Sequence, residues 1–163
     1  MTAFDPGRHR QKALRKKAEN RKFFNRLKKR PPKNIDLIVS GIHDEVFAYT
    51  DCLSCANCCK TTGPMFTARD IARISKYLKV KEAAFIDKYL RRDEDGDLVF
   101  RELPCPFLDA DNYCTIYEQR PKACAEYPHT NRRRFLQLDT LTIKNTEICP
   151  AAYDIVEKLK RLM

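Results

Sequence analysis

Eight cysteines are the residues whose type and spacing could do chemistry in this chain of 163 residues. Cys52, Cys55, Cys58 and Cys59 read C-x-x-C-x-x-C-C. A gap of two residues lets one turn aim two sulfurs at the same ion, at about 2.3 Å for zinc. Three cysteines at successive gaps of two also match the first three ligands of a run that wraps a [4Fe–4S] cluster. Cys58 and Cys59 are adjacent, and adjacent side chains diverge in most backbone geometries. One of them is therefore expected to serve a first site and the other a second. The spacing points to a metal and leaves zinc or iron open.

The later cysteines, Cys105, Cys114, Cys124 and Cys149, raise the thiols to a number sufficient for two four-thiolate sites. Cys105 and Cys149 are each followed by proline, a pairing familiar in ferredoxin-type loops. Whether there is one site or two, and how the eight thiols divide, stays open. Disulfides belong to oxidising compartments, and the basic N-terminus has no apolar stretch after it to serve as a secretory signal. A cytoplasmic location is the corresponding expectation. A vicinal Cys58–Cys59 bridge would also need a distorted peptide. Scattered buried thiols do not explain a cluster as dense as 52–59, although that reading suits the isolated Cys149.

Other chemistry is thin. The four glycines, Gly7, Gly41, Gly63 and Gly96, cannot build a dinucleotide or P-loop phosphate cradle. His129 could replace a cysteine as ligand. His43 reads as a surface residue of a helix, and His9 lies in the basic segment. A Cys–His nucleophile would need a cysteine free of metal, and spacing singles none out. Asp93, Glu94, Asp95 and Asp97 lack the calcium-loop pattern and read as a solvated turn. No run of apolar residues is long enough to span a membrane.

The net charge of +10 is not spread evenly. Residues 8–30 carry twelve Lys or Arg against Glu19 alone, whereas residues 31–163 balance. Residues 1–33 thus read as a basic N-terminal arm, helical or partly disordered, ended by Pro31 and Pro32. Leu14 and Ala18, then Phe23 and Leu27, stand four apart, which suits a solvated helix. Such an arm offers a weak, salt-sensitive contact to a polyanion, RNA or an anionic surface. The adjacent Phe23 and Phe24 need either a partner or a place on the body.

Periodicity places the rest. Ile35, Ile38, Ile42, Val46 and Tyr49 predict a helix over 34–49. Thr67 and Asp70 open a helix with Ile71, Ile74 and Leu78 inward. A second follows over about 81–90, with Phe85 and Tyr89. Asp95-Gly96 signals a hairpin leading to a strand over 98–103. Pro121 suits the start of a short helix, Phe135 to Ile143 favours extended structure, and Pro150 opens a terminal helix. The expected fold is a small, α-rich α+β single domain over 34–163, with short strands and Cys-rich loops organised around metal.

CLSCANCC, then LPCPFLDADNYCTIYEQRPKACAEYP, then a late ICP resemble the CxxCxxCC (YkgJ-type) family of zinc- or iron-chelating cysteine-cluster domains. The resemblance runs from Cys52 to Cys149. It implies a metal site built from Cys52, Cys55, Cys58, Cys59, Cys105, Cys114 and Cys124, with Cys149 as a further candidate. It implies no settled reaction. Larger relatives, the flagellin lysine methylases, attach such a domain to methyl transfer, but nothing outside the cysteine motifs here resembles that machinery. The expected function is metal binding by Cys thiolates in a structural, storage or interaction role. An iron–sulfur redox or methyl-transfer-associated protein, and a nucleic-acid-binding metalloprotein using the arm, stand as alternatives. Lys60, Arg120, Lys122 and Arg132–Arg134 are placed by sequence to offset thiolate charge.

Overall fold

The apolar residues gather into two cores that share no residue. The computed structural model describes residues 4–163, and its contacts divide the chain into two units. Unit 1 comprises Met1–Cys52 and Pro128–Met163, and unit 2 is Leu53–Tyr127. The first three residues of the expected 1–33 arm lie outside the described residues. The architecture is α+β: nine α-helices and one two-stranded antiparallel sheet among the described residues. No described helix is long and apolar enough to cross a membrane.

Unit 1 is helical. Its first helix, α1 (Pro6–Lys29), starts with Asp5 as N-cap, whose carboxylate accepts the Arg8 amide at 3.0 Å, and with Pro6 in the first turn. Arg26, Lys28 and Lys29 in its last turn suit the negative end of the helix dipole. The contacts group this segment with unit 1. Phe23, Phe24 and Leu27 are buried in one cluster with Val39, Phe135 and Leu159. Lys17 pairs with Glu147 at 2.7 Å and Lys28 with Asp139 at 2.5 Å, which ties α1 to the residues of α8 (Asp139–Thr146) and its end. The basic composition conceals this docking, because the few apolar residues that carry it are outnumbered by cations on the other side.

Helix α2 (Ile35–Phe47) buries Ile35, Val39, Ile42 and Val46, while Tyr49, expected on the same face, lies beyond the helix and exposed. The terminal α9 (Pro150–Leu162) buries Tyr153, Val156 and Leu159 as the pattern predicts, and leaves Leu162 exposed. Phe135 to Ile143 is not extended. Phe135–Leu138 forms a 3-10 turn that runs into α8. The reason is tertiary: Asp36 of α2 accepts the backbone amides of Arg134 at 2.7 Å and Phe135 at 3.0 Å. That gives the first donors of the turn a carboxylate partner and overrides a modest β-propensity.

Unit 2 begins within the first cysteine cluster and packs around aromatic rings. Phe66, Phe85, Phe100 and Phe107 share its core with Ile71, Ile74, Leu90 and Ile116. Two of its helices, α5 (Ala68–Leu78) and α6 (Glu82–Tyr89), supply Ile74 and Phe85, both fully buried. Strands β1 (Leu90–Arg92) and β2 (Leu98–Phe100) pair in the register Leu90↔Phe100 and Arg92↔Leu98. The connecting turn is held by the Asp93 carboxylate, which accepts the amides of Asp95 and Asp97, and Gly96 takes the positive φ of 83° that the turn requires.

Candidate metal centre

The first four cysteines sit on two single-turn helices. Helix α3 (Cys52–Cys55) ends at Ala56, which adopts a left-handed conformation with φ 46°. This break restarts the chain as α4 (Asn57–Thr61), carrying Cys58 and Cys59. The two interact: a hydrogen bond from Cys58 favours the Cys59 thiolate.

The later cysteines reach the cluster through backbone bonds. The Cys105 amide donates to the Cys59 carbonyl at 2.8 Å. From there an Asx turn reverses the chain, with the Asp109 carboxylate accepting the amides of Asp111 at 2.9 Å and Tyr113 at 2.8 Å. The reversal pairs Leu108 with Cys114. The chain continues through a 3-10 turn, Tyr117–Gln119, to α7 (Lys122–Glu126), which bears Cys124.

Asp70 fixes where α7 starts. Sequence marks it as half of a capping box with Thr67, which the structure contains. Its second role joins residues 52 positions apart: the Asp70 carboxylate, only 1% exposed, also accepts the Lys122 amide at 3.0 Å. Arg73 donates to the same carboxylate at 2.8 Å and to the carbonyl of Arg120 at 2.9 Å. Burial pushes the Asp70 carboxyl up. The Thr67 hydroxyl and amide, Arg73 and the Lys122 amide outweigh it and hold the group below its ordinary 3.8.

Asp70→Asn is expected to cost about 2 kcal/mol at neutral pH, because an amide cannot accept the same set of donors. A carboxyl depressed on folding stabilises fully above its unfolded value of 3.8, and that contribution fades as pH falls through the lower folded value. Urea melts at pH 7 and pH 3 check this. The gap between wild type and variant should narrow in acid, and an equal gap at both pH values would count against the carboxylate as its source.

The thiols influence one another around Cys59. The charge or hydrogen bonding of Cys59 bears on Cys55, Cys58, Cys105, Cys114 and Cys124. Cys59 itself is brought down to about 7, first by the Cys58 thiol and then by Lys60, against burial. Burial pushes Cys105 up to about 11 and, together with the charges of Cys59, Cys105 and Cys114, Cys124 up to about 12. Burial raises Cys55 and Cys114 as well.

A repeated local device opposes burial. The amide two residues on donates to sulfur at three positions: Asn57 to Cys55, Phe107 to Cys105 and Ile116 to Cys114. Each such bond favours thiolate over thiol and fixes the direction of the sulfur. The charge of Lys60 favours the thiolates of Cys55 and Cys59, and that of Arg120 those of Cys114 and Cys124. Of the other expected cations, Lys122 pairs with Glu126 at 3.7 Å. Arg120 also stacks over the Tyr117 ring at 3.8 Å.

Cys149 is in unit 1, at the N-cap of α9 and packed against that unit's apolar core. His129 is also in unit 1, with a positive φ of 66°, and His43 bonds Thr130 at 2.8 Å. Cys52 is exposed, and the other seven thiols are partly buried. Among the described residues no group of three or more Cys, His, Asp or Glu side chains is already gathered to hold an ion. The donor set still fits a thiophilic metal: six thiols in unit 2, no disulfide, amides aimed at three sulfurs and two cations nearby.

The site defines a cysteine-cluster domain with thiolate donors suited to zinc or iron. The chain belongs to the CxxCxxCC family, whose model matches residues 51–150 and whose description reads "Putative zinc- or iron-chelating domain". It is also 32% identical over 108 residues to an uncharacterized protein of Methanocaldococcus jannaschii, an alignment covering 64% of this chain and 55% of that relative. The chain thus spans about half the length of the relative it matches. No solved structure matches it.

Proposed function

We propose that unit 2 binds a zinc or iron ion, or an iron–sulfur cluster, through thiolates drawn from Cys55, Cys58, Cys59, Cys105, Cys114 and Cys124. Cys52 and Cys149 remain candidate ligands on sequence grounds. The observation that carries this reading is the backbone joining of the two cysteine segments, with the Cys105 amide donating to the Cys59 carbonyl at 2.8 Å and Cys114 paired with Leu108 of the same segment. Bound metal would supply the positive charge that draws the thiolates together, and its binding free energy would become folding free energy. The chain's own residues then have defined tasks. The Asn57, Phe107 and Ile116 amides orient sulfurs, Lys60 and Arg120 offset charge, and Asp70 and Arg73 hold the segment that leads to Cys124.

A structural or storage role for the metal is favoured over catalysis. The spacing of the cysteines carries ligand chemistry and singles out none of them as a nucleophile. The measurement that tests the proposal is metal content, by elemental mass spectrometry, with an absorption spectrum, on untagged protein purified without oxygen. Zinc at one or two per chain without visible absorption is the expected result for a structural site. Iron with equimolar acid-labile sulfide and a band near ~400 nm would assign a cluster instead. Neither metal, with every thiol reactive, would overturn the proposal. Cys52→Ala and Cys149→Ala, assayed alongside, read whether the ligand set extends to those two.

A further inference from the structure

Docking of α1 into unit 1 gives its charges a direction. The buried side presents Ala13, Asn20, Phe23, Phe24 and Leu27. At about 100° per residue, Arg8, Arg15, Lys22, Arg26 and Lys29 fall within one narrow band on the opposite side. All five are exposed. Four of them recur every seventh position, which sets them about 10 Å apart in a line about 32 Å long.

Several other cations of the helix already have acid partners. Lys17 and Lys28 are spent on Glu147 and Asp139, and Lys16 on Glu19. No carboxylate pairs with the side chains of the five among the described residues. The acid nearest their band, Glu19, is bound by Lys160 at 2.5 Å and Lys16 at 2.9 Å, so it offers little to offset them. The structure therefore presents a straight row of positive charge without carboxylate partners, its Arg26 also lying over the Phe23 ring at 5.7 Å, on a helix docked into unit 1.

We infer that this face of α1 binds the phosphate backbone of duplex nucleic acid, independently of base sequence. Three observations choose that partner. A duplex is a straight rod of regularly spaced negative charge, and its length per helical turn, about 34 Å, matches the row. The face carries no exposed aromatic ring on which an unpaired base could stack, since Phe23 and Phe24 are buried. It also lacks the apolar surface that an interfacial helix sinks into lipid: Leu14, at 41% exposure, is the large apolar side chain that α1 exposes among the described residues. With phosphates as the only recognised groups, DNA and RNA duplexes should bind alike.

Fluorescence anisotropy with the full chain and labelled 24-base-pair DNA and RNA duplexes tests the inference. Five phosphate contacts predict a slope of about −4.5 in log affinity against log salt, hence a fall of about 500-fold between 50 and 200 mM salt. The triple variant Arg15→Ala, Lys22→Ala, Lys29→Ala should reduce that slope to about −1.8. These side chains are exposed, so an unchanged circular-dichroism melt is expected and confirms that the loss is not unfolding. A control of equal charge change, Lys76→Ala, Lys81→Ala, Lys88→Ala, removes exposed cations of unit 2 and should bind like wild type. The inference is overturned by no measurable binding at 50 mM salt, by equal losses in both triple variants, or by vesicles containing anionic lipid competing as well as duplex at equal charge.

Discussion

Cys59→Ala is expected to empty the metal site and to lower the melting temperature of unit 2 by about 15 °C or more, on the order of 4 kcal/mol for a unit of this size. The argument is one of magnitude. A partly buried cysteine that only packs is worth about 1 kcal/mol on truncation. A cysteine that shares an ion with several others takes the ion with it, and structural metal contributes far more than one side chain. Treatment of the wild-type protein with a chelator under reducing conditions should therefore produce the same fall. The chelator should do nothing further to Cys59→Ala. Elemental analysis and a melt on the two proteins, each with and without chelator, give four values to compare. Retained metal in the variant, or a chelator effect that adds in full to that of the substitution, would remove Cys59 from the ligand set.

The second large effect belongs to unit 1. Phe24→Ala is expected to cost about 3–5 kcal/mol, the usual range for deleting a fully buried aromatic ring. Phe24 has no exposed surface and packs against Phe23 and Phe135, with ring centroids 5.5 Å and 5.8 Å away. Deleting residues 1–30 should be worse still, because it uncovers Phe135, Ile143 and Leu159 together, and no folded unit 1 is expected to remain. Chemical unfolding followed by circular dichroism reads both. A Phe24→Ala midpoint equivalent to less than about 1 kcal/mol of loss would mean that α1 does not hold this position in solution.

Much of this was legible in the sequence wherever a local signal and the final contact coincide. Thr67 and Asp70 announce α5, and Ile71 and Ile74 announce its buried side, because the box and the spacing are complete within one helix. Asp95-Gly96 gives the hairpin for the same reason. Pro121 and Pro150 mark α7 and α9, which begin beside them. Legibility fails where the deciding partner is distant in sequence. Phe135–Leu138 looks extended until Asp36 caps it from 98 positions away. The docking of α1 depends on Phe23, Phe24 and Leu27 meeting helices from the far end of the chain, and nothing near them says so.

The site divides along the same line. The spacing of Cys52, Cys55, Cys58 and Cys59 carries its message without the fold, and the Asx turn between Cys105 and Cys114 is readable in DADN. The meeting of the two cysteine segments is not, because it depends on the Cys105 amide reaching the Cys59 carbonyl 46 positions away at 2.8 Å. Asp70 shows the limit most clearly. Its helix-capping role is local and was visible, whereas its grip on the Lys122 amide is not a property of any short stretch.

The arrangement of the two units along the chain sets an order on synthesis. Unit 2 is one continuous segment, Leu53–Tyr127, inserted between the two parts of unit 1. As the chain leaves the ribosome, α1 and α2 emerge first but lack the helices that cover Phe24 and Val46 until Pro128–Met163 has been made. At about 5–20 residues per second that wait is roughly 6–20 s. During it the cysteines from 55 to 124 are all delivered, so under the proposed function the thiol-rich segment would take up an ion and close before its host unit does. A cell short of the metal would then hold two unfinished units on each nascent chain at once, and the shielding of Phe23 and Phe24 in that interval falls to whatever else binds them.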